Sequence, residues 1–108
     1  MPDLSEKDGS IGQLLARLRE RLGSGSFLVV DHWPHDTRAV GIARPDNLEV
    51  LAYISTEEAD PERYFVSLEL PPRGEWADAP YSPAGDQNVR GFEELATMLE
   101  RHLSDAVA

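Results

Sequence analysis

The sequence from Leu48 to Leu70, LEVLAYISTEEADPERYFVSLEL, carries the pattern that decides the fold. Apolar residues occupy every second position in its first part, residues 48–55, and again in its last part, residues 63–70, while the other side is mixed and includes Leu51, Tyr53 and Phe65. Such alternation predicts two strands, each with one buried face. The acidic connection between them, residues 56–62, is short enough for a hairpin, so we expect the two strands to be antiparallel.

Two further strands are predicted upstream of this pair. Residues 27–33 form a compact apolar run, apolar on both sides, that is typical of a strand covered on both faces. Residues 38–43 follow after the turn-like Pro34-His35-Asp36-Thr37, and a second turn signal, residues 45–47, leads to the strand that starts at Leu48. The four strands together predict an antiparallel meander.

Helices are predicted at both ends of the chain. Residues 10–22 and 92–105 each repeat apolar residues with the spacing of one helical stripe. Between the last strand and the second helix, residues 71–91 are rich in Pro, Gly and Asp and show no period, which indicates a long irregular loop. The prediction is an α+β domain over residues 10–108, preceded by a disordered lead-in over residues 1–9. Its four-stranded antiparallel meander sheet carries both helices on one face, as a two-layer sandwich.

Charge and composition limit the function. The 108 residues include 20 Asp and Glu against 10 Lys and Arg, a formal net charge of −10. This balance argues against nucleic acid or an anionic membrane as the partner. The absence of cysteine excludes disulfides and thiolate metal sites. The first residues lack the apolar stretch of a signal peptide, so we expect a cytoplasmic protein.

Candidate catalytic chemistry is sparse. Residues 31–36, Asp-His-Trp-Pro-His-Asp, could in principle hold a transition metal, yet His32 and His35 would face opposite sides of a strand and no third ligand has a recognisable spacing. The carboxylates also lack the calcium-loop pattern with its central glycine. We therefore expect no catalytic residue, no metal and no cofactor, and the protein is interpreted as a non-enzyme.

A partner-binding surface is the stronger prediction. Between Arg44 and Arg63 there are six acidic residues and no Lys or Arg. The aromatic side chains of Tyr53, Phe65, Trp76 and Tyr81 could anchor a partner that the acidic residues attract. The simpler interpretation is a solvated acidic surface, with Trp76 and Tyr81 folding their loop onto the sheet. The candidate partner-binding residues are Asp46, Glu49, Tyr53, Glu57, Glu58, Asp60, Glu62, Phe65, Trp76 and Tyr81.

Three stretches resemble segments of the small immunity proteins of bacterial polymorphic and contact-dependent toxin systems. They are LAYIST at 51–56, YFVSLE at 64–69 and FEEL at 92–95, the last followed by Leu99 and His102-Leu103. The small size, the acidity and the lack of cysteine are similar as well. The resemblance implies a cytoplasmic, non-enzymatic protein that binds and blocks a cognate toxin domain. Many such toxins are basic nucleases, and an acidic face could compete with nucleic acid for their cleft. No binding residue is carried over from the resemblance.

Two other classes remain open. An acidic secretion chaperone or adaptor is also small and α+β, and it would expose an apolar groove for an unfolded client. A small metal-dependent enzyme would have to use residues 31–36. The partner is expected to be a folded protein, and the chain itself a monomer or a homodimer.

Overall fold

The computed structural model describes residues 7–23, 25–30, 36–57, 60 and 62–105. Helix α1 covers Gly9–Leu22 and helix α2 covers Phe92–Asp105, where the two apolar stripes predict them. Within the described residues, the strands between the helices are β1 Leu28–Val30, β2 Ala39–Arg44, β3 Asn47–Thr56, β4 Arg63–Leu70 and β5 Ser82–Arg90. One turn of 3-10 helix, Gly74–Trp76, precedes β5.

The strands form one sheet in sequence order, β1-β2-β3-β4-β5, and every neighbouring pair is antiparallel. The predicted α+β class with an antiparallel sheet is therefore confirmed. Burial alternates along β4 and along the second half of β3, because successive side chains of a strand point to opposite faces, whereas Val50, Leu51 and Ala52 of β3 are all buried.

The predicted number of four strands is wrong, because β5 forms within the predicted irregular loop. It pairs with β4 from Arg63↔Arg90 to Leu70↔Ser82, with a register shift at Leu68/Glu69. Pro83 and Gly85 argue against a central strand, but both are tolerated on an edge strand or beside a bulge. Pairing with β4 defines this strand, and the local sequence contains no pattern that predicts it.

The first strand is less enclosed than predicted. Its described part is Leu28–Val30, and the last residues of the predicted strand, 31–33, lie outside the described residues. The side chain of Leu28 is 48% exposed, so β1 is not covered on both faces. An apolar run predicts a strand, but it does not say how many layers cover it.

Helix α1 begins at Gly9, one residue before the predicted Ser10, and residues 1–6 of the predicted lead-in lie outside the described residues. Asp8 is the N-cap, because its carboxylate accepts a hydrogen bond from the backbone N–H of Ser10 at 3.0 Å. Hydrogen bonds from the Ser10 side chain and amide lower the pKa of the Asp8 carboxyl below its ordinary value.

The core lies between the helices and one face of the sheet, which we call the helix side. Ile11, Leu15 and Leu18 of α1 and Leu95 and Leu99 of α2 are almost completely buried in it. The strands contribute alternate residues to the same cluster, namely Val29, Val40, Ile42, Val50, Ala52, Ile54, Tyr64, Val66, Leu68 and Val89. Both described α-helices therefore pack on this one face of the sheet. Neither α1 nor α2 is long and apolar enough to cross a membrane.

Candidate functional site

The sheet face turned away from both helices, here called the open face, carries a pair of aromatic residues. On β2 its residues are small and buried, with Ala39, Gly41 and Ala43 at the positions that alternate with the core. On β3 and β4 the same face presents Tyr53 and Phe65. Leu28 of β1 also lies on this face and is exposed.

Tyr53 and Phe65 form an aromatic pair on this face. Their ring centroids are 6.2 Å apart and their planes meet at 70°, an edge-to-face contact. The contact is diagonal, since Tyr53 pairs with Ser67 and Phe65 pairs with Ser55 across the β3–β4 ladder. Phe65 is 37% exposed although it belongs to a paired strand. Two of the four aromatic residues that the sequence predicts as anchors are thus brought together.

Two carboxylates accept hydrogen bonds from hydroxyl groups on or beside the aromatic pair. The hydroxyl of Tyr53 donates a hydrogen bond to the carboxylate of Asp36 at 2.9 Å. Burial raises the pKa of the Tyr53 hydroxyl, and the bond to Asp36 raises it further. On the other flank, the hydroxyl of Ser67 donates to the carboxylate of Asp86 at 2.7 Å. The aromatic pair therefore lies between two acidic side chains.

The predicted acidic stretch is divided between the two ends of the sheet. Asp46 and Glu49 lie at the β2–β3 hairpin, whereas Glu57 follows the far end of β3. Eight residues of strand separate Glu49 from Glu57 by roughly 26 Å, far beyond a single contact. Glu58 lies outside the described residues. The five described carboxylates therefore do not form one cluster.

Two of these carboxylates are engaged in surface ion pairs. Asp46 contacts the guanidinium of Arg44 at 2.8 Å, and Asp60 contacts that of Arg90 at 3.0 Å. Glu62 is exposed next to this second pair. A partner that used Asp46 or Asp60 would have to share them with an arginine, so Glu49, Glu57 and Glu62 are the better placed steering charges.

The two aromatic residues of the predicted loop lie apart from this pair in sequence. Tyr81 is 39% exposed just before β5. Trp76 ends the 3-10 turn, and its side chain lies outside the described part of the structure.

A groove on the helix side lies between α2 and the strands β4 and β5. It is open and has a volume of about 740 Å³. Its lining is mixed, with the apolar Leu68 and Met98 next to charged residues of α2. The complete lining is Leu68, Gln87, Glu93, Glu94, Thr97, Met98, Arg101 and His102.

His102 is a buried residue in the lining of this groove. Its Nε2 lies 3.0 Å from the carbonyl oxygen of Leu51 and 3.1 Å from that of Glu69. Because both partners can only accept, Nε2 carries the proton and donates to them. Burial lowers the pKa of the imidazole, although the two carbonyls oppose that shift. The ring is a buried link between helix and sheet, and not an exposed general base.

A second, smaller pocket of about 260 Å³ lies between α1 and the end of the β3–β4 pair. Its hydroxyl groups bond to each other, as Ser10 Oγ and Thr56 Oγ1 are 3.3 Å apart. Two arginines line it: Arg38 forms an ion pair with Asp8 at 3.4 Å, and the guanidinium of Arg17 lies over the ring of Phe92 at 4.0 Å. Both arginines are thus engaged within the chain, which makes the pocket a weak anion site.

The candidate metal cluster cannot be placed, since residues 31–35 lie outside the described residues. Elsewhere in the described chain, no three His, Asp or Glu side chains are close enough to hold a metal ion. Asp36, the last residue of that motif, bonds to Tyr53 and to the amide of Arg38.

Asp36 and Asp86 are the residues of the open face that sequence reasoning missed. Their role depends on strand pairing, which sets Asp86 opposite Ser67 and brings Asp36 to the Tyr53 hydroxyl. The sequence contains no local signal for either contact.

Comparison of the chain with protein-family models, with curated proteins and with solved structures found no match.

Proposed function

We propose that this chain is a non-enzymatic protein-binding module of the immunity type, which binds and blocks a folded, basic toxin domain in the cytoplasm. The observation that carries the proposal is the contact between the partly buried Tyr53 and the exposed Phe65 on the open face. Aromatic residues are enriched among the anchors that carry most binding energy, and they cluster near the centre of an interface.

The rigidity of the aromatic pair favours a folded partner. Tyr53 and Phe65 are held on neighbouring paired strands, so a partner would meet both rings at fixed positions. Two folded proteins present such fixed contacts to each other, and their interfaces bury about 800 Å² on each side.

Charge favours a basic partner. Asp36 and Asp86 flank the aromatic pair, and the chain carries a formal net charge of −10. An acidic field attracts a basic domain over long distance and disfavours acidic competitors. A basic nuclease cleft has the complementary charge, so the protein would occupy the surface that nucleic acid needs.

The test is capture of the partner from the source organism with the immobilised chain. We expect a basic protein to bind the parent chain and to lose its toxic activity at equal molar amounts. The double variant Tyr53→Ala/Phe65→Ala should lose at least about 2 kcal/mol of binding free energy, chiefly through faster dissociation. Leu48→Ala is the matched control, because Leu48 is 51% exposed but lies at the β2–β3 hairpin.

Three results would contradict the proposal. The captured protein could bind the double variant as tightly as the parent chain, or its activity could persist in the complex. A stoichiometric metal in protein purified without added metal would instead support the enzyme alternative, with His32 and His35 as its ligands.

The groove at α2 is the observation that favours the second candidate, a secretion chaperone or adaptor. Its apolar residues, Leu68 and Met98, could contact an unfolded client segment. Under that alternative Met98→Glu abolishes binding, and the aromatic double variant leaves it intact. The same capture experiment, with this third variant added, separates the two functions.

A further inference from the structure

The outer edge of β5 offers a second interaction surface that is independent of the proposed function. Strand β5 is the last strand of the sheet, and within the described part of the chain no strand pairs with its outer side. Residues 83–88 are all exposed. From Gly85 to Arg90 the pairing with β4 is regular, so this part of the edge is straight enough to accept another strand.

The backbone groups that face outward can be assigned from one hydrogen bond. The N–H of Gly91 donates to the carbonyl of Glu62 at 2.7 Å. In an antiparallel ladder, hydrogen-bonded and non-hydrogen-bonded pairs alternate. Gln87 and Val89 therefore bond inward to β4, and the N–H and C=O groups of Asp86, Asn88 and Arg90 point away from the sheet.

These outward groups are symmetric about Asn88. We propose that two copies of this chain pair antiparallel along β5 with Asn88 opposite Asn88, and with Asp86 of each copy opposite Arg90 of the other. The three outward residues of each copy then meet those of the second copy, which gives about six backbone hydrogen bonds. Both cross-strand charged pairs are of opposite sign, which is the favourable arrangement.

The local sequence also limits the pairing to this register. Gly85 has a φ of +117° and the ladder shifts beside it, so the first half of β5 does not continue a regular edge. Pro83 has no N–H to donate. Moving the second copy by two residues, the smallest shift that keeps outward groups opposite each other, puts Asp86 opposite Asn88 or past Arg90, and the charged pairs are lost.

Dimerisation of this kind would extend the working surfaces of the protein. It joins two five-stranded sheets into one, with both open faces on the same side. Phe65 pairs with Asn88, so the Phe65 positions of the two copies would lie three strand spacings apart, roughly 14 Å. Five residues on each copy bury less than the about 800 Å² per partner of a standard interface, so we expect a reversible dimer.

The backbone prediction is tested with Asn88→Pro. Its N–H points outward, so proline removes a donor of the interface without removing one from the β4–β5 ladder. Sedimentation over a range of chain concentrations should give a mass that rises toward twice the chain mass for the parent protein. Asn88→Pro should remain monomeric, whereas the control Asn88→Ala keeps the N–H and should dimerise like the parent.

The charge prediction is tested with two variants. Each should dimerise more weakly than the parent when alone, and the two should form a mixed dimer when combined. Asp86→Arg places arginines opposite Arg90, and Arg90→Asp places carboxylates opposite Asp86. Each variant alone should raise the dimer dissociation constant by about tenfold or more, through two attractive contacts replaced by repulsive ones. An equimolar mixture of the two variants restores both opposite-charge pairs, so a mixed dimer should form.

Circular dichroism of every variant provides the folding control, since Asp86 bonds to Ser67 and Arg90 to Asp60 within one chain. A parent chain that stays monomeric at ~1 mM, a concentration at which even a weak interface is populated, would overturn the proposal. So would a dimer that Asn88→Pro leaves unchanged, or variants that fail to associate when mixed although both are folded. None of these outcomes depends on the identity of a toxin.

Discussion

His102 shows how one polar side chain connects two elements of this protein. It lies on α2, is buried, and donates to two carbonyl groups that face each other across the β3–β4 pair. Burial disfavours the charged imidazole, because protonation in a low-dielectric surrounding loses hydration. The folded protein therefore binds a proton at His102 less readily than the unfolded chain does.

This difference predicts a pH dependence of stability. The pKa of His102 is lower in the folded state than its ordinary value of 6.5. Its contribution to the free energy of unfolding is thus fully present above pH 6.5 and is lost as the pH falls through the folded pKa. We expect denaturant unfolding to show a steeper loss of stability below that pH in the parent than in His102→Gln.

The glutamine amide can still donate to a carbonyl, but it does not titrate in this range. The free energies of unfolding of the parent and of His102→Gln, plotted against pH, should therefore approach each other as the pH falls. Parallel curves at all pH values would mean that His102 titrates alike in both states.

The residues of the open face were predictable to different degrees. Alternation along residues 48–55 and 63–70 places Tyr53 and Phe65 on the face away from the core, and the structure agrees. The contacts of Asp36 and Asp86 were not predictable, because each partner comes from another strand. Sequence spacing says which side a residue faces, but not which residue of a neighbouring strand it meets.

The helices are the elements that sequence predicted best. A helical stripe is a local pattern of period 3.6, and both stripes of this chain lie in the core. Strand β4 has the predicted bounds, and β2 and β3 differ from prediction by one residue at their ends. Strand β5 was missed, because an edge strand with one buried apolar residue, Val89, has almost no pattern of its own.

Helix packing predicts the cost of truncating one buried side chain in each helix. Leu15 of α1 is 1% exposed and Leu99 of α2 is fully buried. Leu15→Ala and Leu99→Ala should each lower the free energy of unfolding by roughly 2–5 kcal/mol, from lost burial and the cavity that remains. Leu48→Ala, at an exposed position, should change it by less than about 0.5 kcal/mol.

Chemical denaturation with linear extrapolation measures all three variants. If Leu15→Ala or Leu99→Ala unfolded like Leu48→Ala, the corresponding helix would not be part of the cooperative core. Equal costs for both helices would indicate one core of uniform packing.

At the scale of the whole molecule, charge acts through its sum as well as through its position. The formal net charge is −10, and the exposed Glu49, Glu57 and Glu62 lie at both ends of the sheet. Long-range attraction of a basic partner depends on this total field, while short-range contacts at Tyr53 and Phe65 set how long the complex lasts. Under the proposed function, the association rate therefore depends on the net charge and the dissociation rate on the aromatic contacts.

Reversal of three charges tests this dependence of the association rate on charge once the partner has been identified. Glu49→Lys, Glu57→Lys and Glu62→Lys together reduce the formal net charge from −10 to −4. The association rate constant should fall and lose much of its salt dependence, since attraction is screened within about 10 Å at ~0.1 M salt. The corresponding Glu→Gln triple should give an intermediate rate. An unchanged association rate at low salt would leave the acidic residues as a solvated surface.

The sequence by itself determined the α+β class, both helices, the antiparallel strand pairs and the side of the sheet on which Tyr53 and Phe65 lie. Each of these follows from hydrophobic periodicity or from turn residues, which act over a few neighbours in the chain. Tertiary structure alone decided the fifth strand, the separation of the acidic stretch, and the contacts of Asp36, Asp86 and His102. These depend on which backbones lie side by side, because hydrogen bonds and charges act across space between residues that are distant in sequence.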